Sequence, residues 1–146
     1  MNSIVLDASV AAKWFLPARN EPFASEARHL FRRFSAEEVE FLVPDVFWAE
    51  IGNILCKAIR QGRCTKSTAQ AAFGFLVDLE LPAVPSLDLL ELGFEIALTF
   101  RRSVYDGLYV SLAVSSQATL VTADERLVNA LAAHFPVRWL GAVALS

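Results

Sequence analysis

The segment Ile4-Val5-Leu6-Asp7-Ala8-Ser9 puts a carboxylate at the point where a short apolar strand meets a helix. Three more acids stand in comparable places: Glu50 lies within an apolar run, Asp106 interrupts another, and Asp124 ends the run Leu120-Val121-Thr122-Ala123. Carboxylates are almost never fully buried unless they are paired or bound to a metal. If the fold brings these four acids together, a cation or bound protons must compensate their charge.

Short apolar strands alternate with helices around these acids, which predicts an α/β fold. Strands are predicted at residues 3–6, 41–43, 83–85, 119–121 and 137–140, and helices at 8–16, 22–34, 45–60, 65–78, 88–100, 104–115 and 125–133. Pro22 is expected in the first turn of its helix and Asp45 as an N-cap, while the prolines beside 83–85 favour an edge strand. The alternation implies a parallel sheet covered by helices on both faces. Ligands of such sheets gather at the carboxyl ends of the strands, where Asp7 and Asp124 lie.

Composition narrows the class of protein. The 146 residues fit one domain spanning 1–146, and at 55% hydrophobic the chain can bury a sizeable core. A net charge of −3 gives no global basic field, which argues against strong nonspecific DNA binding but leaves a metal enzyme open. The sequence shows neither a signal peptide nor an apolar run long enough to span a membrane, so a reducing cytoplasm is expected. Cys56 and Cys64 match no disulfide or CxxC pattern, and Cys56 is expected to be a buried free thiol.

Each acid also has a purely structural explanation. Asp7 could be an N-cap; alternatively, Ser9 could orient its carboxylate or hold a metal-bound water. Glu50, which shares a helix face with Asn53, could simply extend to solvent. The segments 103–106 and 122–125 match the capping-box pattern, so Asp106 and Asp124 could serve helix ends without any chemistry.

Together, the four acids favour a metal site of a particular kind. Mg²⁺ and Mn²⁺ prefer oxygen ligands, and four carboxylates without His or Cys suit one or two such ions. The two histidines, His29 and His134, are too few and too far apart to suggest zinc. The corresponding chemistry is metal-assisted hydrolysis of a phosphodiester bond.

At these residues the sequence resembles the PIN-domain ribonucleases, specifically the VapC-type toxins of bacterial toxin–antitoxin pairs. The segments that carry the resemblance are Val5-Leu6-Asp7-Ala8-Ser9, Pro44-Asp45-Val46-Phe47-Trp48-Ala49-Glu50-Ile51-Gly52-Asn53, Tyr105-Asp106-Gly107-Leu108-Tyr109 and Val121-Thr122-Ala123-Asp124-Glu125-Arg126-Leu127. The resemblance implies a three-layer α/β/α fold with a central parallel sheet, and endonucleolytic cleavage of RNA. It further implies a homodimer and a small antitoxin that inhibits the enzyme.

The resemblance also assigns roles to individual residues. It implies Mg²⁺ or Mn²⁺ held by Asp7, Glu50, Asp106 and Asp124, directly or through water. The polar neighbours of these acids in the family correspond to Ser9, Asn53 and Thr122. Two positions depart from the family pattern: Gly107 stands where alanine is usual, and residues 126–130 lack the further acid that some relatives have. The second departure puts a second metal ion in doubt.

Other interpretations remain open. A phosphoryl-transfer hydrolase of another α/β fold could use Asp7 as nucleophile, although such enzymes usually carry a second Asp where this chain has Ser9. A catalytically silent PIN-like module could keep the acids only as a docking pocket for an arginine. Three arginines close to the acids are candidates for contact with RNA phosphates: Arg101, Arg102 and Arg126. Four aromatic residues are expected near the site-bearing helices, some of them in the core: Trp14, Phe15, Phe47 and Trp48. A monomer is expected to leave an apolar patch exposed that suits a symmetric dimer.

Overall fold

Five parallel strands form the centre of the computed structural model, which describes residues 2–143. The strands are β1 (Asn2–Leu6), β2 (Val39–Pro44), β3 (Ala83–Val84), β4 (Thr119–Thr122) and β5 (Val137–Trp139). Their order in the sheet is β3-β2-β1-β4-β5, and each neighbouring pair is parallel. The chain therefore starts in the middle, builds outward to β3, and then returns to the other side of β1. This reversal makes the gap between the ends of β1 and β4 a topological switch point.

Seven α-helices flank the sheet among residues 2–143 and confirm the three-layer α/β/α arrangement. They are α1 (Ala8–Ala11), α2 (Ala24–Ser35), α3 (Val46–Arg60), α4 (Lys66–Asp78), α5 (Ser86–Phe100), α6 (Val104–Ser115) and α7 (Glu125–Leu131). None of these helices has the length and hydrophobicity needed to cross a bilayer.

Two hydrophobic cores lie on opposite faces of the sheet because successive side chains of a strand point to opposite faces. In β1, Ile4 and Leu6 belong to a core built with α1 to α4, whereas Val5 belongs to one built with α5 to α7. All three side chains are buried, so the central strand is covered on both faces as the apolar run predicts.

Some local predictions were wrong. The first helix is α-helical only to Ala11 and continues as a 3₁₀ turn. Helix α2 begins at Ala24 instead of Pro22, because Phe23 has a left-handed backbone (φ 61°) that cannot belong to the helix. Asp45 occupies the N-cap position of α3 as predicted, but its side chain makes no capping hydrogen bond, and its carboxylate accepts a hydrogen bond from the Ser86 hydroxyl instead.

The expected burial of one side chain, Cys56, was also wrong. Cys56 is an exposed free thiol, because the buried face of α3 passes through Leu55 and Ala58 and Cys56 points away from it. Phe47 lies on that buried face, fully inaccessible, and is therefore one of the aromatic residues expected in the core. The other aromatic residues expected near the site-bearing helices are partly buried and pack against the core: Trp14, Phe15 and Trp48.

Helices α5 and α6 meet at a pair of glycines, Gly93 and Gly107. A Cβ atom added at Gly107 would lie 2.8 Å from the carbonyl carbon of Gly93 and 3.1 Å from its Cα. Those distances leave no room for a side chain, which explains why glycine occupies position 107. The contact also fixes the start of α6, and with it the neighbouring Asp106.

Candidate functional site

Asp7 follows β1 directly and is the N-cap of α1. Its carboxylate accepts a hydrogen bond from the Ser9 amide at 3.0 Å, and its own amide donates to the Val121 carbonyl of β4 at 3.4 Å. The capping interpretation is thus correct, but it does not account for the surroundings. Burial raises the pKa of the Asp7 carboxyl, and the negative charge of Asp106 raises it further. The hydrogen bonds from Ser9 and Thr122 lower this pKa but do not cancel the rise.

Ser9 and Thr122 join the ends of β1 and β4. The Ser9 hydroxyl accepts from the Ala123 amide at 3.3 Å, and the fully buried Thr122 hydroxyl accepts from the Asp124 amide at 3.1 Å. The same Thr122 side chain hydrogen-bonds to the Asp7 carboxylate. Both residues were expected next to the acids, and their hydrogen bonds connect the chain after β1, which carries Asp7, to the chain after β4, which carries Asp124.

Asp124 is the N-cap of α7, so the predicted capping box that begins at Thr122 was wrong by two residues. One carboxylate oxygen, Oδ1, accepts from the amides of Arg126 at 3.0 Å and Leu127 at 3.2 Å. The other oxygen, Oδ2, is left to face Arg102. The Asp124 carboxylate thus caps α7 with one oxygen and faces the site with the other.

Glu50 enters the site from α3. Burial raises the pKa of its carboxyl from 4.5 to about 7, and the charges of Asp7 and Asp106 contribute. Its Oε1 atom is buried and meets no hydrogen-bond partner among residues 2–143. Glu50 therefore does not simply extend to solvent, whereas Asn53, expected on the same face, is exposed.

Tyr109 completes the buried side of the site, a role that the sequence did not suggest. Its hydroxyl is the second buried side-chain atom without a partner at standard hydrogen-bonding geometry in the described part of the chain. It lies close enough to Glu50 for the two groups to affect each other's pKa, and burial raises that of Tyr109. The available signal was its position three residues after Asp106, which places both on one face of α6.

Arg102 lies between Asp106 and Asp124. Its Nη2 atom is 3.2 Å from Oδ2 of Asp106 and 3.3 Å from Oδ2 of Asp124, and its Nε atom donates to Asp106 at 3.3 Å. The pKa of Asp106 is raised by burial and by Asp124, although Arg102 opposes both. The other two candidate arginines, Arg101 and Arg126, are exposed.

The structure thus brings the four acids into electrostatic reach of one another, and we call Glu50, Asp7, Asp106 and Asp124 the acid cluster. Its oxygen-only donors, its crowded charges and the unpartnered Glu50 Oε1 fit a hard divalent cation such as Mg²⁺ or Mn²⁺. Between residues 2 and 143, however, no three Asp, Glu, His or Cys side chains stand close enough together to hold a metal ion. The donor atoms and the charge of the acids suit a divalent cation, although the side chains as they stand do not form a set of three ligands.

Comparison with a family model gives a match that includes all four acids, and comparison with solved structures gives matches that cover most of the fold. The family model of the PIN domain matches residues 4–131. Ribonuclease VapC1 from two strains of Mycobacterium tuberculosis, CDC 1551 / Oshkosh and ATCC 25618 / H37Rv, is 33% identical over 92 residues. That match covers 60% of this chain and spans 65% of the length of these curated relatives.

Two crystal structures share the fold at lower identity. PAE2754 from Pyrobaculum aerophilum superposes with a TM-score of 0.69 at 20% identity, covering 96% of this chain and 85% of that one. VapBC2 from Rickettsia felis, solved with a DNA fragment from its promoter, gives a TM-score of 0.61 at 14% identity, covering 94% and 98%.

Proposed function

This chain belongs to the PIN domain family, and from that membership we propose that it is a divalent-metal-dependent endoribonuclease, the toxin of a type II toxin–antitoxin pair. The observation that carries the proposal is the acid cluster at the switch point of the sheet, with a buried Glu50 oxygen that has no partner in the described chain. Like charges crowded in this way call for a cation. The VapC1 ribonucleases of M. tuberculosis support the choice of RNA as substrate.

In the proposed reaction, the acid cluster would hold Mg²⁺ or Mn²⁺, and the surrounding residues set the geometry of its carboxylates. The ion would supply the positive charge that activates a water molecule and neutralises the phosphate oxygens. Asp7 is oriented by the Ser9 amide and the Thr122 hydroxyl, and Asp124 by the amides that open α7. Without a cation, burial raises the pKa of the Glu50 carboxyl to about 7, so that the group is only partly ionised near neutral pH. Arg101 and Arg126 are exposed beside the cluster, and we assign them to RNA phosphates.

Cleavage of single-stranded RNA tests this proposal. We expect Asp7→Asn and Asp106→Asn to abolish cleavage without unfolding the chain, EDTA to stop the wild type, and Mg²⁺ or Mn²⁺ to restore it. Asp45→Asn is the matched control, because it removes a charge from an exposed residue that contacts Ser86 outside the cluster. Cleavage that continues undiminished in chelator would overturn the metal mechanism.

We further propose that a small antitoxin binds a groove of about 350 Å³ on the surface. The groove is lined by four aromatic residues and two arginines: Trp14, Phe15, Phe31, Phe75, Arg28 and Arg32. An amphipathic helix with acidic residues at its edges would fit this lining. An arginine of the antitoxin would then reach the acid cluster, where its planar fork can pair with carboxylates, as Arg102 already does.

Growth of three strains tests the toxin role. The chain alone should arrest growth, the chain with the protein encoded beside it should be tolerated, and the Asp7→Asn chain should be harmless. Equal growth of all three, with the wild-type protein verified as expressed and folded, would remove the toxin role and leave the nuclease proposal to the chelator experiment.

We also propose that residues 1–146 form one PIN domain that works as a homodimer in the cytoplasm. The support for a dimer is an exposed apolar stripe along α5, formed by Leu87, Phe94 and Leu98, which are 80%, 51% and 66% exposed. Such a stripe on a monomer favours association. A symmetric pair of chains would bury it twice.

One observation favours a second candidate, a silent module that docks arginine. Asp106 and Asp124 already bind a guanidinium, that of Arg102, at hydrogen-bonding distance. Such a module would bind an arginine-bearing partner without cleaving RNA. The chelator experiment separates the two, since only the nuclease shows metal-dependent cleavage.

A further inference from the structure

The backbone around Arg102 is held on both sides. Arg101 ends α5 in the left-handed conformation (φ 56°), and the Arg102 amide donates to the Ala97 carbonyl at 3.0 Å. One residue later, Ser103 caps α6 by accepting from the Asp106 amide at 3.1 Å. The position of Arg102 is therefore set by two helix ends rather than by a free loop.

The acid cluster is electrically asymmetric. At one end, Asp106 and Asp124 share the Arg102 guanidinium, whose side chain is only 21% exposed. At the other end, none of the ion pairs among residues 2–143 includes Asp7 or Glu50, and the buried Oε1 atom of Glu50 meets no hydrogen-bond partner there. The need for an external cation is thus concentrated at Asp7 and Glu50.

We propose that Arg102 takes the place of a second metal ion. It holds Asp106 and Asp124 together, and the chain then binds a single divalent cation at the Asp7–Glu50 end of the cluster. This inference deepens the proposed nuclease function and rests on it. It also gives a reason why residues 126–130 contain no further acid. Where arginine already neutralises Asp106 and Asp124, a further carboxylate would add little to the binding of a second ion.

The physical reason is competition for the same oxygens. The Oδ2 atoms of Asp106 and Asp124 both face Arg102. An ion entering between them would have to displace a planar, permanently charged group that bonds to both. A second ion therefore binds weakly while arginine is present, and its binding should improve when arginine is removed.

Counting Mn²⁺ ions tests the inference without RNA. Metal-stripped full-length chain would be titrated with Mn²⁺, and the free ion measured by electron paramagnetic resonance. We expect one tight ion per wild-type chain and two per Arg102→Met chain, with the second binding at least about tenfold more tightly than any second ion in the wild type. Arg126→Met is the matched control, since it removes the same charge from an exposed side chain near Asp124 and should still bind one ion.

Arg102→Lys keeps the inference testable if Arg102→Met does not fold. Lysine retains the charge but loses the fork, so second-ion binding should fall between that of the wild type and that expected for methionine. Unchanged Mn²⁺ stoichiometry and affinity in a folded Arg102 variant would overturn the inference while leaving the nuclease proposal intact. Equal gains in the Arg102→Met and Arg126→Met chains would also overturn it, by showing an effect of net charge alone. Failure of the wild type to bind any Mn²⁺ would instead overturn the metal-nuclease proposal, and this inference with it.

Discussion

Replacing Gly107 by alanine should force helices α5 and α6 apart. The new Cβ would collide with the Gly93 carbonyl oxygen, its nearest neighbour, and would lie 2.8 Å from the carbonyl carbon. Because carbon atoms pack best at about 3.5 Å or more, the helices must separate by at least about 0.7 Å. Both sides of this contact are helix backbone, which yields little. We therefore take the upper part of the usual overpacking cost, about 3 kcal/mol. Alanine regains about 1 kcal/mol of helix propensity, which leaves a net loss of about 2 kcal/mol.

Urea unfolding and thermal melting would measure this loss. For a chain of this size, the change corresponds to a fall in Tm of about 4–8 °C. Gly74→Ala is the matched control, because Gly74 lies within α4 with no atom near its added Cβ, and it should stabilise the chain by about 0.5–1 kcal/mol. Gly107→Ala should also weaken Mn²⁺ binding, since Asp106 precedes the displaced residue. If Gly107→Ala proved as stable as Gly74→Ala, the two helices would not be in the contact described here.

The remaining predictions concern pH, an internal hydroxyl and the apolar stripe. Burial raises the pKa of Glu50 from 4.5 to about 7, so between these pH values the folded chain binds more protons than the unfolded chain. The free energy of unfolding, measured in EDTA, should therefore fall as pH rises from 4.5 to about 7. Glu50→Gln should reduce that slope in urea titrations, and a wild-type profile without any slope would contradict the assignment. Thr122→Val should cost about 1–3 kcal/mol, because it leaves the part-buried Asp124 amide and the Asp7 carboxylate without the hydroxyl that they share, and it should also weaken Mn²⁺ binding. Unchanged stability would count against a link between the two acids through Thr122. Phe94→Glu should reduce the mass measured by light scattering at tens of micromolar from that of a dimer to that of a monomer. Val77→Glu, at an exposed position on α4, is the control and should leave the mass unchanged. A wild-type chain that is already a monomer would exclude the apolar stripe as a dimer face.

The sequence was sufficient to predict the three-layer order and the parallel sheet, and to place Asp7 and Asp124 at the carboxyl ends of two neighbouring strands. Apolar runs that end in Asp7 and Asp124 can only be parallel strands buried on both faces, and parallel strands present their ends at one edge. It was not sufficient to predict the role of Arg102, since the residue lies between helices and its direction depends on the left-handed Arg101. The approach of Tyr109 to Glu50 likewise depends on how α3 and α6 pack, which no local pattern encodes. Phe23 shows the same limit, because its positive φ comes from tertiary packing that overrides the preference of an aromatic residue.

Asp7 and Asp124 each close the first turn of a helix with the same carboxylate that faces the acid cluster. Loss of either acid would therefore weaken the fold as well as the site, by about 1 kcal/mol for a lost N-cap. Asparagine retains the capping oxygen and alanine does not, so a chain inactivated through asparagine should persist in the cell while one inactivated through alanine should be degraded sooner. Cells selected for loss of the proposed activity would then accumulate two kinds of variant. One kind is folded but inactive and could still bind a partner. The other kind is degraded and therefore no longer binds it.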